Sequence, residues 1–343
     1  MDTKIITNPS EQDIDTLARA LRNGELVSIP TETVYGLGAN GLDPEAMDKI
    51  YAAKGRPSDN PLILHVPNSE SIKPLVTEIS ATAQALMDAF WPGPLTITLP
   101  KSDLVPDRAT GGLPRVALRC PDHKVCRALL ERAGVPVAAP SANISGRPSP
   151  TTAQDVYHDM KGRISYILDA GPCTIGVEST VVEVHDDKVI ILRPGGITKA
   201  QLERVVSTVE YDTALVNATT KPKAPGMKYT HYAPDAPMTV VVGSPEGVAH
   251  TFKELSEGIE GPIGCLVSHE TYNLIKEDGR FMCHCFGHHR DALALGHDFY
   301  KSLLHFNENH VTLILAEGVD DDGFGVAIMN RMEKASSHHI IYK

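Results

Sequence analysis

No stretch of this chain is apolar over the roughly 18 to 20 residues that a membrane-spanning helix requires. The opening Met1-Asp2-Thr3-Lys4-Ile5-Ile6-Thr7 also lacks the apolar centre of a secretory signal. A soluble, cytoplasmic protein without a membrane partner is expected. Positive charge is scarce as well: Lys and Arg number 32 against 43 Asp and Glu, a net charge of −11 with no basic run. That excludes the tails and arms with which many chains hold nucleic acid. The six cysteines, Cys120, Cys126, Cys173, Cys265, Cys283 and Cys285, follow no scaffold spacing, so reduced thiols are expected. Cys283-His284-Cys285 and the nearby His288-His289 lack the usual Cys-x2-Cys spacing and a second ligand pair. No metal held by the protein's own side chains is expected.

What the chain does have is length and apolar content. With 343 residues, 42% of them hydrophobic, it can bury two cores. Helical and strand patterns alternate through residues 1–207 and again through 238–343, which predicts two α/β units, the second a small and mostly parallel sheet. Residues 208–237 read as a connector. Its second half, Ala224 to Pro237, is too rich in proline and aromatics for a slack tether, and a lid or binding loop is expected there. A helix is predicted over Thr198–Val206 and a strand over Gly176–Val184.

Cations recur at the ends of these elements. Lys54 and Arg56 flank Gly55 and are followed by Pro57, between a helix with Asp43 as N-cap and a short strand holding His65. They are expected as exposed loop cations. Arg115 and Arg119, four apart in a strand, share a face. Pro140-Ser141-Ala142-Asn143-Ile144-Ser145-Gly146-Arg147 offers small hydroxyls and open backbone amides suited to phosphate or carboxylate oxygens, and Arg193-Pro194-Gly195 places another cation at a strand exit. Gly36, Gly38 and Gly41 formally match a dinucleotide fingerprint, but the acid due at the end of the next strand is missing.

In order along the chain stand Thr31-Glu32-Thr33-Val34-Tyr35-Gly36-Leu37, Lys54-Gly55-Arg56-Pro57, Asn60-Pro61-Leu62, Pro140-Ser141-Ala142-Asn143-Ile144-Ser145-Gly146, Ser179-Thr180-Val181 and Arg193-Pro194-Gly195. With these blocks the chain resembles the YrdC family. Ala224-Pro225-Gly226-Met227-Lys228-Tyr229-Thr230-His231-Tyr232-Ala233-Pro234 and the trailing unit resemble that family's longer, two-domain form. The resemblance implies a twisted α/β domain with a concave site, a smaller Rossmann-like α/β domain and an ordered linker between them. It also implies a nucleotidyl transfer in which L-threonine, bicarbonate and ATP, with Mg2+, give L-threonylcarbamoyladenylate, pyrophosphate and water. Other proteins then pass the threonylcarbamoyl group to an adenosine next to the anticodon of tRNAs that read codons beginning with A.

Carried over by position, the resemblance makes Thr33, His65, Arg119, Ala139 and Ser179 threonine contacts. Arg56, Asn60, Ser141, Ser149, Arg193 and Tyr232 become ATP contacts, and Lys54 should face the phosphates, so that Lys54 and Arg56 are the catalytic cations. Arg115 stands where the family often has a threonine contacting ATP, which leaves that contact open. The alternative reading is a non-catalytic RNA-binding module of the same fold, using Arg115, Arg119, Arg127 and Arg147, and it leaves direct tRNA contact open.

Overall fold

The computed structural model describes residues 2–57, 60–216 and 232–343. They form two compact units, one made of residues 1–145, 149–174 and 178–229, the other of 146–148, 175–177 and 230–343. Half of the expected linker, residues 217–231, lies outside the described residues.

The first unit is built on strands β1 (Lys4–Thr7), β2 (Val27–Ile29), β3 (Gly36–Asn40), β4 (Ile63–His65), β5 (Leu95–Pro100), β6 (Arg115–Arg119), β7 (Val137–Ala138), β8 (Tyr166–Asp169), β9 (Thr180–Val184), β10 (Val189–Arg193) and β11 (Val209–Tyr211). Among the described residues they join in one mixed sheet, in the order β1-β8-β2-β3-β7-β4-β6-β5-β9-β10-β11. Alternation of side chains divides this sheet into two faces. Leu37, Leu64, Leu118 and Ala138 point into the main core with Met47, Ile50 and Leu86 from the flanking helices. Val27, Ile29, Val137 and Ala139 pack on the other side against Leu17 and Leu21 of the helix Glu11–Arg22 and Leu129 and Leu130 of the helix Lys124–Ala133. Farther along that second face Ile63, Ala117, Val181 and Leu192 form a smaller cluster, with Ile190 packed against it. His65 and Arg119, two residues on from Ile63 and Ala117, therefore share the face with the thinner apolar cover.

The second unit has β12 (Met238–Val242), β13 (Ile263–Val267), β14 (Phe281–Cys285), β15 (Leu313–Glu317) and β16 (Ile340–Tyr342), all parallel, in the order β14-β13-β15-β12-β16. Cys283 and His284 are thus residues of a strand at the sheet's edge. Among the described residues no group of three or more His, Cys, Asp or Glu is placed to hold a metal. Glu317, fully buried at the end of β15, accepts from the Ser268 amide (2.8 Å) and hydroxyl (2.9 Å) and faces His289 Nδ1 at 2.7 Å.

Two expectations change. The predicted helix over 198–206 is a single turn, Lys199–Leu202, capped by Thr198 and Gln201. The predicted strand over 176–184 begins only at Thr180. Of the glycines that mimic a dinucleotide loop, Gly36 and Gly38 lie in β3 and Gly41 just beyond it. A Cβ on Gly38 would lie 2.9 Å from both Val137 Cγ1 and the Val27 carbonyl oxygen, so the residue is small because three strands meet closely, not because a phosphate does. Gly38→Ala is expected to destabilise the fold by about 2 kcal/mol through overpacking, whereas Gly279→Ala, with open space around the new methyl, should be near neutral. Denaturant unfolding of the two variants checks this.

Candidate functional site

The centre of the site is Arg119, 4% exposed at the end of β6. Its Nη1 donates to Thr33 Oγ1 (2.8 Å), its Nε to the Gly93 carbonyl (3.3 Å), and its Nη2 stands 2.6 Å from Glu32 Oε1. Thr33 is held in turn by Thr31, whose hydroxyl is 2.9 Å away and also donates to the Val34 carbonyl. Beside Arg119 in the parallel register lies His65, the last residue of β4. Burial first, and the Arg119 charge second, push the His65 ring down to about 3, so it stands neutral at ordinary pH. Ala139 follows β7, and its amide donates to the Ile63 carbonyl.

A second group adjoins through the loop after Gly93. The Thr180 amide donates to the Pro94 carbonyl, which brings Ser179 to the same edge. The Ser179 hydroxyl is 2.8 Å from Thr96 Oγ1, and Arg193 Nη2 donates both to it (3.2 Å) and to the Ser179 carbonyl (2.9 Å). Gly195 permits this approach, since a Cβ there would meet the Thr180 amide at 2.3 Å. Nearby, Ser149, fully buried, donates to Glu178 Oε1 at 2.7 Å.

The third group corrects an expectation. Lys54 is not an exposed loop cation but the last residue of the helix Pro44–Lys54, 3% exposed. Its ammonium donates to the carbonyls of Ser141 (2.5 Å) and Asn143 (2.6 Å), with Asn143 Oδ1 at 3.5 Å. Gly55, at φ +62°, turns the chain immediately afterwards. Burial, then repulsion from Arg56, holds the Lys54 ammonium well below the usual lysine range. Lys54 thus fastens the 141–143 loop, which Gly36 also pairs with at Ser141. Ser141 Oγ donates to Asn143 Oδ1 at 2.6 Å. Arg56 Nη2 donates to the Pro61 carbonyl, and Asn60, 1% exposed, has both amide atoms buried without a partner among the described residues.

Thr33, His65, Ala139 and Arg119 are therefore contiguous, Ser179 and Arg193 join them through the Gly93–Pro94 loop, and Lys54 and Ser141 through Gly36. Arg115 is not among them. It shares the Arg119 face but lies at the other end of β6, about 13 Å away at the usual strand rise, and donates to the carbonyls of Thr98 (2.7 Å) and Val184 (2.6 Å). Tyr232 belongs to the second unit, where it is 4% exposed, has φ +68° and packs on Tyr300 with ring centres 5.4 Å apart. Glu32, Thr96, Asn143 and Glu178 were not singled out by sequence. Only Glu32 carried a signal, as an acid between two threonines in the block that ends at Leu37.

Two outcomes follow from this burial. Lys54→Ala should cost about 2 to 4 kcal/mol in denaturant unfolding, because two loop carbonyls lose a charged donor. His65, depressed in the fold from 6.5 to about 3, contributes stability that is complete above pH 6.5 and lost as pH falls toward about 3. His65→Asn should flatten that acid limb of the stability curve.

Comparison with known proteins gives this arrangement a setting. A family model described as Telomere recombination matches residues 19–195, and one described as Threonylcarbamoyl-AMP synthase, C-terminal domain, matches residues 197–337. The threonylcarbamoyl-AMP synthase of Bacillus subtilis is 46% identical over 97% of this chain and 95% of its own length. That of Pyrococcus abyssi is 44% identical over 96% of each. The crystal structure of P. abyssi Sua5 complexed with L-threonine superposes with a TM-score of 0.92 at 42% identity, covering 100% of both chains. Escherichia coli YciO shares the fold of the first part, with a TM-score of 0.51 over 57% of this chain. The chain belongs to the threonylcarbamoyl-AMP synthase family, in its two-domain form.

Proposed function

We propose that this protein is a nucleotidyltransferase that joins L-threonine, bicarbonate and ATP into L-threonylcarbamoyladenylate, with release of pyrophosphate and water. The observation that carries this reading is Arg119: a buried guanidinium with a hydroxyl at its side, in a chain that aligns end to end with a relative crystallised with L-threonine. A planar fork of N–H donors suits a carboxylate, and neutral His65 beside it adds shape without adding charge.

In this reading threonine is held by Thr33, His65, Arg119, Ala139 and Ser179. Its amine takes up bicarbonate as a carbamate, losing water. A carbamate oxygen then attacks the α-phosphorus of ATP and the bond to pyrophosphate breaks. Because the carbamate is already anionic, this step needs alignment and charge neutralisation more than a base. Arg56, Arg193, Asn60, Ser141 and Ser149 serve the nucleotide, while Lys54 acts by holding the 141–143 loop. The neighbouring cations, and the engagement of Glu32 with Arg119 and of Glu178 with Ser149, fit a triphosphate that brings its own Mg2+ to share its charge.

The product would be consumed by proteins that transfer the threonylcarbamoyl group to tRNA. Among the described residues no helix is long and apolar enough to cross a membrane. The test is pyrophosphate release: purified protein should produce it from ATP and bicarbonate only when threonine is added. Arg119→Gln should raise the KM for threonine by about tenfold to a hundredfold, the worth of a charged hydrogen bond. Pyrophosphate release independent of threonine would refute the assignment.

A further inference from the structure

The pair formed by Arg119 and Glu32 is unusual in what it leaves unspent. Both residues are buried, and Nη2 and Oε1 are 2.6 Å apart. Yet Arg119 Nη2 and both Glu32 carboxylate oxygens are enclosed without a well-aligned hydrogen bond among the described residues. Buried charged groups are ordinarily saturated with hydrogen bonds, and those that are not call for an explanation. Here a cationic donor and an anionic carboxylate are held together by charge at 2.6 Å, with no aligned hydrogen bond to either carboxylate oxygen, in the place assigned to an amino acid. An amino acid is a zwitterion. Its carboxylate complements Arg119 and its ammonium complements Glu32, so a single ligand could enter the pair and satisfy both halves.

The proposed reaction also has an unmet requirement. Threonine arrives as an ammonium ion, which has no lone pair and cannot add to bicarbonate. Some group must take its proton, and none of the cations or hydroxyls around Arg119 is suited to do so. We propose that Glu32 is the proton acceptor for the α-ammonium of threonine, freed for that role when the substrate carboxylate draws Arg119 away from it. This rests on the threonine assignment made above. A buried carboxylate stripped of its cation is poorly solvated, and such groups neutralise by taking up a proton. Substrate binding thereby creates the base at the moment the acid appears.

The balance is simple. One proton moves from the ammonium nitrogen to a Glu32 oxygen. The freed lone pair forms the N–C bond to bicarbonate, and the C–OH bond breaks. The departing hydroxide leaves as water with a second proton from nitrogen, and Glu32 returns its own proton to solvent. Threonine and bicarbonate become the carbamate, water and one proton. The other titratable groups whose fields interact with Glu32 are Cys120, His123, Cys126 and Cys173. Burial pushes the three thiols up and the His123 ring down.

The test compares wild type with Glu32→Gln in threonine-dependent pyrophosphate release from pH 7 to pH 10. The amide keeps the shape and loses the proton acceptor. At pH 7 the variant should turn over at least about a hundredfold more slowly, the usual worth of a positioned base. The deficit should then shrink by about tenfold per pH unit as solvent deprotonates the amine itself. A variant as fast as wild type at pH 7, or a deficit that does not change with pH, overturns the proposal. Silence of the wild type in the same assay would instead refute the underlying function. Should Glu32→Gln fail to fold, the difference infrared spectrum of the wild type on threonine binding decides. A protonated-carboxyl band absent from Glu32→Asp or shifted in it supports the proposal, and its absence from the wild type refutes it.

Discussion

Burying a guanidinium at the end of a β-strand is costly unless its donors are met, and the first unit is arranged around meeting those of Arg119. The Thr31–Thr33 turn, which includes Glu32, and the Gly93 carbonyl come from separate parts of the chain and converge on one side chain. None of these contacts is local in sequence. Their common cause is the register that sets β7, β4 and β6 side by side in the middle of the sheet, so that His65, Arg119 and Val137 come level. Because one face of the sheet is filled by the main core and the other carries a smaller apolar cluster here among the described residues, polar side chains can gather on that face without displacing the core.

The cations around this centre do different work although they look alike in sequence. Arg119 retains an unspent donor, whereas Arg193 is turned onto the Ser179 backbone. Lys54 is used up in tying a helix end to the 141–143 loop. Its ammonium donates to two carbonyls of that loop, and burial holds it well below the usual lysine range. The site is thus built from groups that are individually expensive to bury, some of them paired and some, such as Asn60, without a hydrogen-bond partner among the described residues.

Much of this was legible in the residues. The Asp43 start of a helix carries a local signal that the fold honours, and so does the short strand that holds His65. Alternation put Arg115 and Arg119 on one face, correctly. What it could not say was that one of them would find two backbone carbonyls at the far end of the strand. The exposure of Lys54 was misjudged for a related reason, since its partners lie almost ninety positions away. The Gly36-x-Gly38 pattern could be set aside as a dinucleotide site for want of an acid, but that glycine serves close packing here only the neighbouring strands reveal. Glu32 was overlooked because a lone acid has no spacing to announce it.

The account turns on Arg119 receiving a carboxylate beside Glu32. A crystal structure of this protein with L-threonine tests that directly. The account predicts the threonine carboxylate within hydrogen-bond distance of the Arg119 guanidinium and its nitrogen next to Glu32. Threonine bound elsewhere, with the Arg119–Glu32 pair undisturbed, would contradict it.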